Sequence, residues 1–510
     1  MGYLLGIDIG TSGTKALLID ETGRVLASAT EEYPLLTPRP GWAEQHPQDW
    51  WRATADATGA VLAKAGVTGA DVAGVGLSGQ MHGSVFLDAN NEVIRPALLW
   101  CDQRTAAQCQ WINSTAGEGL VVEETLNPML TGFTAPKIIW LRQEEPEHYA
   151  RVRKVLLPKD YIRWMLSGEF ASEVSDASGT ALLNVRQRQW STRLMNAIDI
   201  DPAWMAPVFE SQEPSTRVSA RAAEATGLAA GTPIVGGGGD QAAGAVGNGI
   251  VRTGVVSSTT GTSGVVFAFM DEPLVDPRLR AHTFCHAVPG KWHTMGVMLS
   301  AGGSLRWIRD ALCGPERDVA AAMGKDPYEV MCEEAAAAPP GCEGLVFLPY
   351  LTGERTPYPD PDAKGVFFGL HLRHTRAHLI RAVLEGVAFG LKDSFEIFAE
   401  MGVPVDQVRA SGGGARSKLW LQIQADATNH AHHTINVEEG PALGVALLAG
   451  VGAGVYRSVA EACDAVIRLA SETKPIPGNA ELYSRCHALY QRLYGHLASD
   501  FKEASALAAG

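Results

Sequence analysis

No uninterrupted apolar run in this sequence is long enough to cross a membrane. Crossing needs about 20 apolar residues, and every run here stays below about 18. The N-terminus also lacks a basic segment, and Asp8 interrupts its first apolar run, so the pattern of a signal peptide is missing. These absences predict a cytoplasmic protein that has no membrane partner.

Paired cysteines and an excess of basic residues are absent as well. The eight cysteines are scattered without a CxxC pair, which predicts free thiols in a reducing compartment. The net charge of −14 argues against nucleic acid and anionic membranes as partners, whereas a nucleotide needs only local hydrogen-bond donors. The motif GxxxxGK[ST] is also missing, so a P-loop ATP site is excluded.

The composition that remains is that of a globular protein with a large core. Hydrophobic residues make up 46% of the 510 positions, and at about 150 residues per domain the length predicts two to four domains. Predicted strands and helices alternate in both halves, which favours an α/β fold. We expect one boundary near residues 249–253, which gives an N-terminal domain of residues 1–249 and a C-terminal domain of residues 250–510.

Residues 3–20 contain two short apolar runs joined by a turn of glycine, threonine and serine, which predicts a β-hairpin. The turn offers backbone N–H groups and the hydroxyls of Thr11 and Ser12, as a polyphosphate requires. Asp8 lies at the end of a buried strand, where a carboxylate is costly without a partner such as a hydrated metal ion. The alternative is an ordinary tight hairpin with a solvated Asp8.

The four residues of this turn, Gly-Thr-Ser-Gly, occur again at residues 261–264, between two further apolar runs in residues 255–270. Two such hairpins, one in each half, predict a duplicated fold whose halves face one nucleotide. This arrangement resembles the superfamily of sugar kinases, actin and heat-shock chaperone ATPases. In that superfamily, two ribonuclease-H-like domains hold ATP in the cleft between them.

Two further glycine-rich segments stand out. Residues 236–239 are four glycines after a predicted strand, and glycine lets the backbone approach a ligand closely. Asp240 and Gln241 follow them directly. Residues 412–414 are three glycines ahead of a predicted helix from about Lys418, and such a turn is a second natural seat for a nucleotide.

Several motifs together resemble the FGGY family of carbohydrate kinases. Residues 132–140 (GFTAPKIIW) are similar to its first signature, and residues 365–370 with residues 378–385 are similar to its second. Residues 347–357 (FLPYLTGERTP) resemble the run that precedes the second signature. The similar segments extend over almost the whole chain in the expected order.

Within the family, the polar segments are most similar to those of the xylulokinases. The similarity lies in residues 79–83 (GQMHG), 99–102 (LWCD), 156–161 (LLPKDY) and 238–240 (GGD). Glycerol kinases have Arg-Glu where this chain has Met81 and His82, and this difference argues against glycerol as the substrate.

The resemblance implies ATP-dependent phosphorylation of D-xylulose at its terminal hydroxyl, a step of pentose catabolism. It implies that Asp240 is the base that takes the hydroxyl proton and that Asp8 holds Mg²⁺. The implied sugar site consists of Met81, His82, Trp100, Asp102, Asp240 and Gln241. The implied ATP contacts come from Thr11, Ser12, Gly261, Thr262, Gly302, Gly413 and Gly414.

General chemistry agrees with this assignment. Phosphoryl transfer needs positioning and charge neutralisation, and an alcohol acceptor needs a carboxylate that accepts its proton. Lys15, just after the first turn, is placed to neutralise phosphate charge, with a solvated lysine as the alternative. For Asp102, which Arg104 follows closely, the alternative is a surface salt bridge.

Three other functions stay open from the sequence. The first is a kinase for another small sugar or polyol, such as ribulose or a deoxy-ketose. The second is an actin-like or chaperone-like ATPase that binds protein partners. The third is an oxidoreductase, because Gly237-x-Gly239-x-x-Ala242 matches a dinucleotide fingerprint loosely. A homodimer is compatible with the resemblance to sugar kinases.

Overall fold

Two seven-stranded sheets, one from each half of the chain, form the framework of the protein. They are seen in a computed structural model that describes residues 2–509. Helices pack on both sheets, and the two α/β units predicted from the sequence are confirmed. Within residues 2–509, every helix falls short of the combined length and apolar character that a membrane crossing requires.

The first half contains fifteen strands and ten helices. Its strands are β1 Tyr3–Ile9, β2 Gly13–Ile19, β3 Val25–Glu32, β4 Glu44–Gln45, β5 Val72–Gly79, β6 Val85–Leu87, β7 Ala97–Leu98, β8 Lys154–Leu156, β9 Ser172–Glu173, β10 Leu183–Asn184, β11 Gln189–Trp190, β12 Val208–Phe209, β13 Pro214–Arg217, β14 Pro233–Val235 and β15 Gly238–Gly239. Its helices are α1 Pro47–Ala65, α2 Ala106–Ala116, α3 Glu118–Thr125, α4 Thr134–Glu144, α5 Pro146–Arg151, α6 Pro158–Ser167, α7 Val174–Ser178, α8 Thr192–Ala197, α9 Ala220–Thr226 and α10 Asp240–Gly247.

The second half contains nine strands and, up to residue 509, eight helices. Its strands are β16 Gly254–Thr260, β17 Gly264–Met270, β18 His282–Cys285, β19 Trp292–Met298, β20 Val346–Leu348, β21 Val366–Phe368, β22 Val405–Ser411, β23 His432–Ile435 and β24 Leu469–Thr473. Its helices are α11 Gly302–Leu312, α12 Gly314–Met323, α13 Pro327–Ala335, α14 Arg376–Glu400, α15 Lys418–Thr428, α16 Gly440–Gly452, α17 Val459–Val466 and α18 Pro477–Ala509.

Both sheets are built around the same motif. In the first, the antiparallel hairpin β1–β2 lies beside β5, which runs parallel to β1. In the second, the hairpin β16–β17 lies beside β22, which runs parallel to β16. The sheet orders are β13-β14-β5-β1-β2-β3, with β15 beside β5, and β18-β19-β17-β16-β22-β23-β24. The two predicted hairpins and the duplication that they indicated are therefore confirmed.

Helix α16 joins the two halves. In sequence it lies between β23 and β24 of the second sheet, yet it packs on β1 and β5 of the first sheet and on α10. The packing is close enough to exclude side chains. A Cβ on Gly76 of β5 would lie 1.9 Å from the carbonyl oxygen of Val445, and one on Gly444 would lie 1.8 Å from the carbonyl oxygen of Ala243. The domain boundary at residues 249–250 stays a prediction.

The contact between α10 and α16 generates a stability test. Gly444→Ala would place a methyl group against the backbone of α10, and overpacking of this kind costs about 1–3 kcal/mol. We therefore expect a lower melting temperature and, because α10 begins at Asp240, reduced turnover. Gly59→Ala is the matched control, since Gly59 lies inside α1 with no atom within 4 Å of an added Cβ.

The control should gain about 0.5–1 kcal/mol, because alanine is the better helix former. Thermal melting and steady-state turnover of both variants are measured side by side. Equal stabilisation by the two substitutions would show that the α10–α16 contact does not require glycine.

Candidate active site

Asp8 lies at the end of the first hairpin, inside the protein. It is paired with Lys15 across β1 and β2, and with Ser78 across β1 and β5. Its Oδ1 atom is buried and has no hydrogen-bond partner within residues 2–509. Burial raises the pKa of the Asp8 carboxyl. An orphaned carboxylate oxygen in this position fits a hydrated divalent cation, for which oxygen is the preferred ligand.

Asp240 is the first residue of α10, at the end of the glycine-rich segment. The residue that caps this helix is Gly239, so Asp240 is not itself the N-cap. Burial, and after it the negative charge of Asp8, raise the pKa of the Asp240 carboxyl to about 7. The structure therefore brings together the two carboxylates that the sequence places more than 200 residues apart.

The turn of Met81 and His82 lies against the same glycines. A Cβ on Gly239 would lie 2.8 Å from Cγ of Met81, so only glycine fits before Asp240. The Nδ1 atom of His82 lies 2.5 Å from the carbonyl oxygen of Gly179. Because a carbonyl only accepts, Nδ1 carries the hydrogen and Nε2 keeps its lone pair. Burial lowers the pKa of His82 to about 3, so the ring is neutral at working pH.

Trp100 and Thr11 are in direct contact on the opposite side of this turn. The indole Nε1 of Trp100 donates to the Thr11 hydroxyl over 3.0 Å, and that hydroxyl donates to Oε1 of Gln80 over 3.2 Å. The side chain of Gln45 donates to the Thr11 carbonyl over 2.7 Å. Thr11 is thus held by the segments that surround the predicted sugar site, and Ser12 beside it is exposed.

The carboxylate of Asp102 is hydrogen-bonded to other groups of the protein. Its carboxylate accepts from Nε and Nη2 of Arg104, at 2.9 and 2.7 Å, and from the backbone N–H of Ala43 at 2.7 Å. Both side chains are almost fully buried, so the pair is an internal salt bridge rather than one on the surface. The predicted direct contact between Asp102 and a sugar stays a prediction.

The predicted nucleotide residues of the second half lie together at the second hairpin, whereas Thr11, Ser12 and Lys15 lie at the first. The backbone N–H of Gly302 donates to the carbonyl of Gly261 over 2.7 Å, and that of Gly303 donates to Thr262 over 2.9 Å. A Cβ on Gly414 would lie 2.6 Å from the Thr260 side chain. The hairpin, the start of α11 and the loop before α15 therefore form one glycine-lined surface.

A cavity of 970 Å³ is lined by Asp240 and Gln241 of the first half and by Thr259, Gly412 and Gly413 of the second. The other predicted sugar and nucleotide residues are not part of its lining, namely Met81, His82, Trp100, Gly261, Thr262, Gly302 and Gly414. Cavities that bind small molecules have volumes of about 300–1,000 Å³, so this one is large enough for a nucleotide.

Lys15 is neither free in solvent nor bound to the hairpin turn. Its ammonium pairs with the carboxylate of Glu439, in the loop that leads into α16, and both side chains are partly exposed. The ion pair joins the first hairpin to the segment that enters the interdomain helix. A role of Lys15 in neutralising phosphate charge stays a prediction.

A buried network behind Asp240 was missed from the sequence. Arg163 of α6 donates to the carbonyls of Val235 and Gly236, at 2.7 and 2.6 Å. The backbone N–H of Gly239 donates to Oγ of Ser175 over 3.1 Å, and that hydroxyl donates to Glu173 over 3.0 Å. A helix that opens at residues 158–160 and stops at Gly168 is predicted from the sequence and agrees with α6, but its role behind Asp240 depends on contacts with distant residues.

Arg355 was missed in the same way. This partly buried residue of the segment 347–357 has no ion-pair partner within residues 2–509, and burial lowers its pKa. Its positive charge helps to lower the pKa of His82 and of His282, so the guanidinium lies near both rings.

Comparisons with known proteins identify the family of the chain. The N-terminal domain of the FGGY family of carbohydrate kinases matches residues 3–247, and its C-terminal domain matches residues 256–453. The chain is 38% identical to the xylulose kinase of Bacillus subtilis over 97% of both chains. It is 42% identical to the xylulose kinase of Escherichia coli, with 90% of this chain and 91% of that protein covered.

Solved structures of sugar kinases have the same fold as this chain. The crystal structure of xylulose kinase from Rhodospirillum rubrum superposes with a TM-score of 0.90 at 30% identity, and the match covers 98% of this chain and all of that one. The family models and the fold therefore agree over both halves of the chain. The chain belongs to the FGGY family of carbohydrate kinases.

Proposed function

We propose that this protein transfers the γ-phosphoryl group of ATP to the terminal hydroxyl of D-xylulose and releases xylulose 5-phosphate. The position of Asp240 carries the proposal. It follows the glycine that packs on Met81, and it also lines the cavity that leads to the second hairpin. A carboxylate between an alcohol site and a nucleotide site is what a sugar kinase needs. The similar proteins of Bacillus subtilis and Escherichia coli are xylulose kinases, which supports D-xylulose as the acceptor.

Asp240 accepts the proton of the attacking hydroxyl. A carboxylate whose pKa has the ordinary value near 3.9 is a weak base. When the pKa lies near the working pH, the carboxylate is a stronger base and a large fraction of it is still ionised. Burial and the nearby Asp8 provide this shift. The proton thus leaves the sugar oxygen as that oxygen bonds to phosphorus.

His82 and Trp100 orient the sugar. The lone pair on Nε2 of the neutral His82 ring accepts a hydrogen bond from a sugar hydroxyl. Met81 and Trp100 offer apolar surface to the carbon atoms of the sugar, and the Trp100 N–H is already used by Thr11. Gln241, next to the base, lies on the cavity wall within the predicted sugar site.

Asp8 would hold Mg²⁺, since its buried Oδ1 has no protein partner in the described residues. When bound, the ion neutralises negative charge on the phosphates. The first turn, with Thr11 and Ser12, and the second turn, with Gly261 and Thr262, would contact the nucleotide, together with Gly302, Gly413 and Gly414. A cytoplasmic location and a homodimer stay predictions.

The alternatives outside this family have less support. Both halves match carbohydrate-kinase domains, which supports neither a partner-binding ATPase nor an oxidoreductase.

A kinase for another ketose or polyol is distinguished by comparing phosphorylation rates of D-xylulose, ribulose and glycerol at equal concentration. D-xylulose should have the highest kcat/KM.

Asp240→Asn tests the base. Asparagine keeps the shape and the hydrogen-bonding capacity but cannot take the proton, and general-base catalysis is worth about 10²–10⁴-fold. We expect turnover to fall at least about a hundredfold, with ATP binding little changed and sugar binding weakened modestly. Steady-state kinetics and a melting curve are recorded for the same protein.

The melting curve is itself informative. The folded-state pKa of Asp240 is about 7 and the unfolded value is about 3.9, so ionisation opposes folding and stability is lost as pH rises between the two values. Asn lacks this penalty, so the variant should melt at or above the wild-type temperature at pH 8. A stable Asp240→Asn protein with near wild-type turnover would rule out the base.

The pH profile tests the same group in the unmodified enzyme. Because the Asp240 carboxyl has a pKa of about 7 and must be ionised to act, kcat/KM for the sugar should rise with pH and level off above about 7. Below that value the slope of log kcat/KM against pH should be one. A profile that is flat between pH 5.5 and 8 would contradict an essential base with this pKa.

Asp8→Ala tests the metal site. Removing the orphaned carboxylate should leave the fold intact, remove most turnover and raise the Mg²⁺ concentration needed for the remainder. Asp20→Ala is the control, because Asp20 lies just past the opposite end of β2 and bonds only to its own turn. The measurement is turnover against Mg²⁺ concentration, and an unchanged Mg²⁺ requirement in Asp8→Ala would remove Asp8 from the metal site.

A further inference from the structure

Lys137 is a fully buried lysine whose hydrogen bonds go to the main chain. Its side chain is 0% exposed, and among the described residues its Nζ atom donates to backbone carbonyls rather than to a carboxylate. Burial lowers the pKa of this amine to about 7, although the negative charge of Asp102 nearby acts in the opposite direction. A buried ammonium that no carboxylate contacts directly opposes folding, so an apolar residue here would serve stability better. The position therefore points to a role other than stability.

Nζ of Lys137 donates to two backbone carbonyls, those of His82 and Gly132, each over 2.8 Å. The His82 carbonyl also accepts from the hydroxyl of Thr134 over 3.0 Å. Thr134 and Lys137 lie three residues apart in the first turn of α4, a spacing that puts both on one helix face. Two donors from one helix thus converge on a single carbonyl.

That carbonyl belongs to a strained residue. His82 has a φ of 68°, in the left-handed region, where a residue other than glycine needs help from its surroundings. The bonds from α4 supply this help on the backbone, and the Gly179 carbonyl holds the ring. A Cβ on Gly179 would lie 2.6 Å from Nδ1 of His82, so the ring packs directly on this glycine and leaves no room for a side chain there.

The second carbonyl that Lys137 bonds to, that of Gly132, lies against the segment of Trp100. A Cβ on Gly132 would lie 2.7 Å from the carbonyl oxygen of Trp100, so these two backbones are in contact. Lys137 is consequently the common attachment point of the segment that carries His82 and the segment that touches Trp100.

We propose that Lys137, assisted by Thr134, is a positioning residue that sets sugar affinity by holding His82 in its left-handed conformation. The inference rests on the proposed function, in which Nε2 of His82 receives a sugar hydroxyl. Lys137 does not touch the sugar or ATP. Its removal should therefore weaken sugar binding and leave ATP binding unchanged.

Lys137→Met and Thr134→Val are the test variants. A hydrogen bond from a charged donor contributes about 1.5–3 kcal/mol, and each 1.4 kcal/mol is tenfold in affinity. We expect Lys137→Met to raise both the KM for D-xylulose and its calorimetric Kd, measured without ATP, at least about tenfold. The KM for ATP should stay within about twofold, and Thr134→Val should show the same pattern in weaker form.

Two comparisons separate positioning from general destabilisation. Thr134→Ser keeps the hydroxyl and should restore the wild-type KM, whereas Thr226→Val removes a buried hydroxyl from the remote helix α9 and should change only the melting temperature. In a His82→Ala background, Lys137→Met should have no further effect on sugar Kd, because both changes remove one interaction.

The proposal is overturned if the effects of Lys137→Met and His82→Ala on sugar Kd add independently, or if Lys137→Met lowers only the melting temperature. If Lys137→Met does not fold, Thr134→Val and Thr134→Ser decide alone: an unchanged sugar Kd in Thr134→Val overturns it. Failure of the proposed function is distinguishable, because the wild-type enzyme would then bind and phosphorylate no D-xylulose.

Discussion

The active site depends on the backbone contact between α10 and α16. Gly247 and Gly444 leave no room for a side chain where these helices meet, so the separation there is fixed by main-chain atoms rather than by adjustable side chains. Asp240 begins one helix, and the loop that begins the other carries Glu439, the partner of Lys15. Because α16 also packs on β1 and β5, the same contact sets the base-bearing helix relative to the hairpin with Asp8. The geometry of both carboxylates is therefore a consequence of helix packing.

Burial shifts the pKa values of the two polar groups beside the glycines in opposite directions. It raises the pKa of Asp240 to about 7, which makes a carboxylate a better base, and lowers the pKa of His82 to about 3, which keeps the imidazole neutral. Both shifts disfavour charge in the unliganded protein. The site thus has a cost in folding free energy, and packing elsewhere in the fold offsets it.

Features that depend on neighbouring residues could be predicted from the sequence. Features that depend on contacts between residues far apart in the sequence could not. Both hairpins, and a helix from about Lys418 where the structure has Lys418–Thr428, follow from apolar patterns and glycine turns. Asp240 was found because it directly follows four glycines. The roles of Lys137, Arg163 and Ser175 were missed because each acts on a carbonyl or N–H group more than 50 residues away. The location of helix α16 on the first sheet depends on packing that no local pattern encodes.

The missed residues share one chemistry, which explains why they escape a search for motifs. Each is a side-chain donor or acceptor that serves the main chain beside the site instead of facing the cleft. Arg163 and Ser175 hold the segment that ends at Asp240, and Lys137 holds the turn of His82. Glycines allow the close approach that the site requires, but they also leave the main chain free to move. Buried charged and polar side chains restrict that freedom, so the glycine-rich segments and the buried donors are two parts of one arrangement.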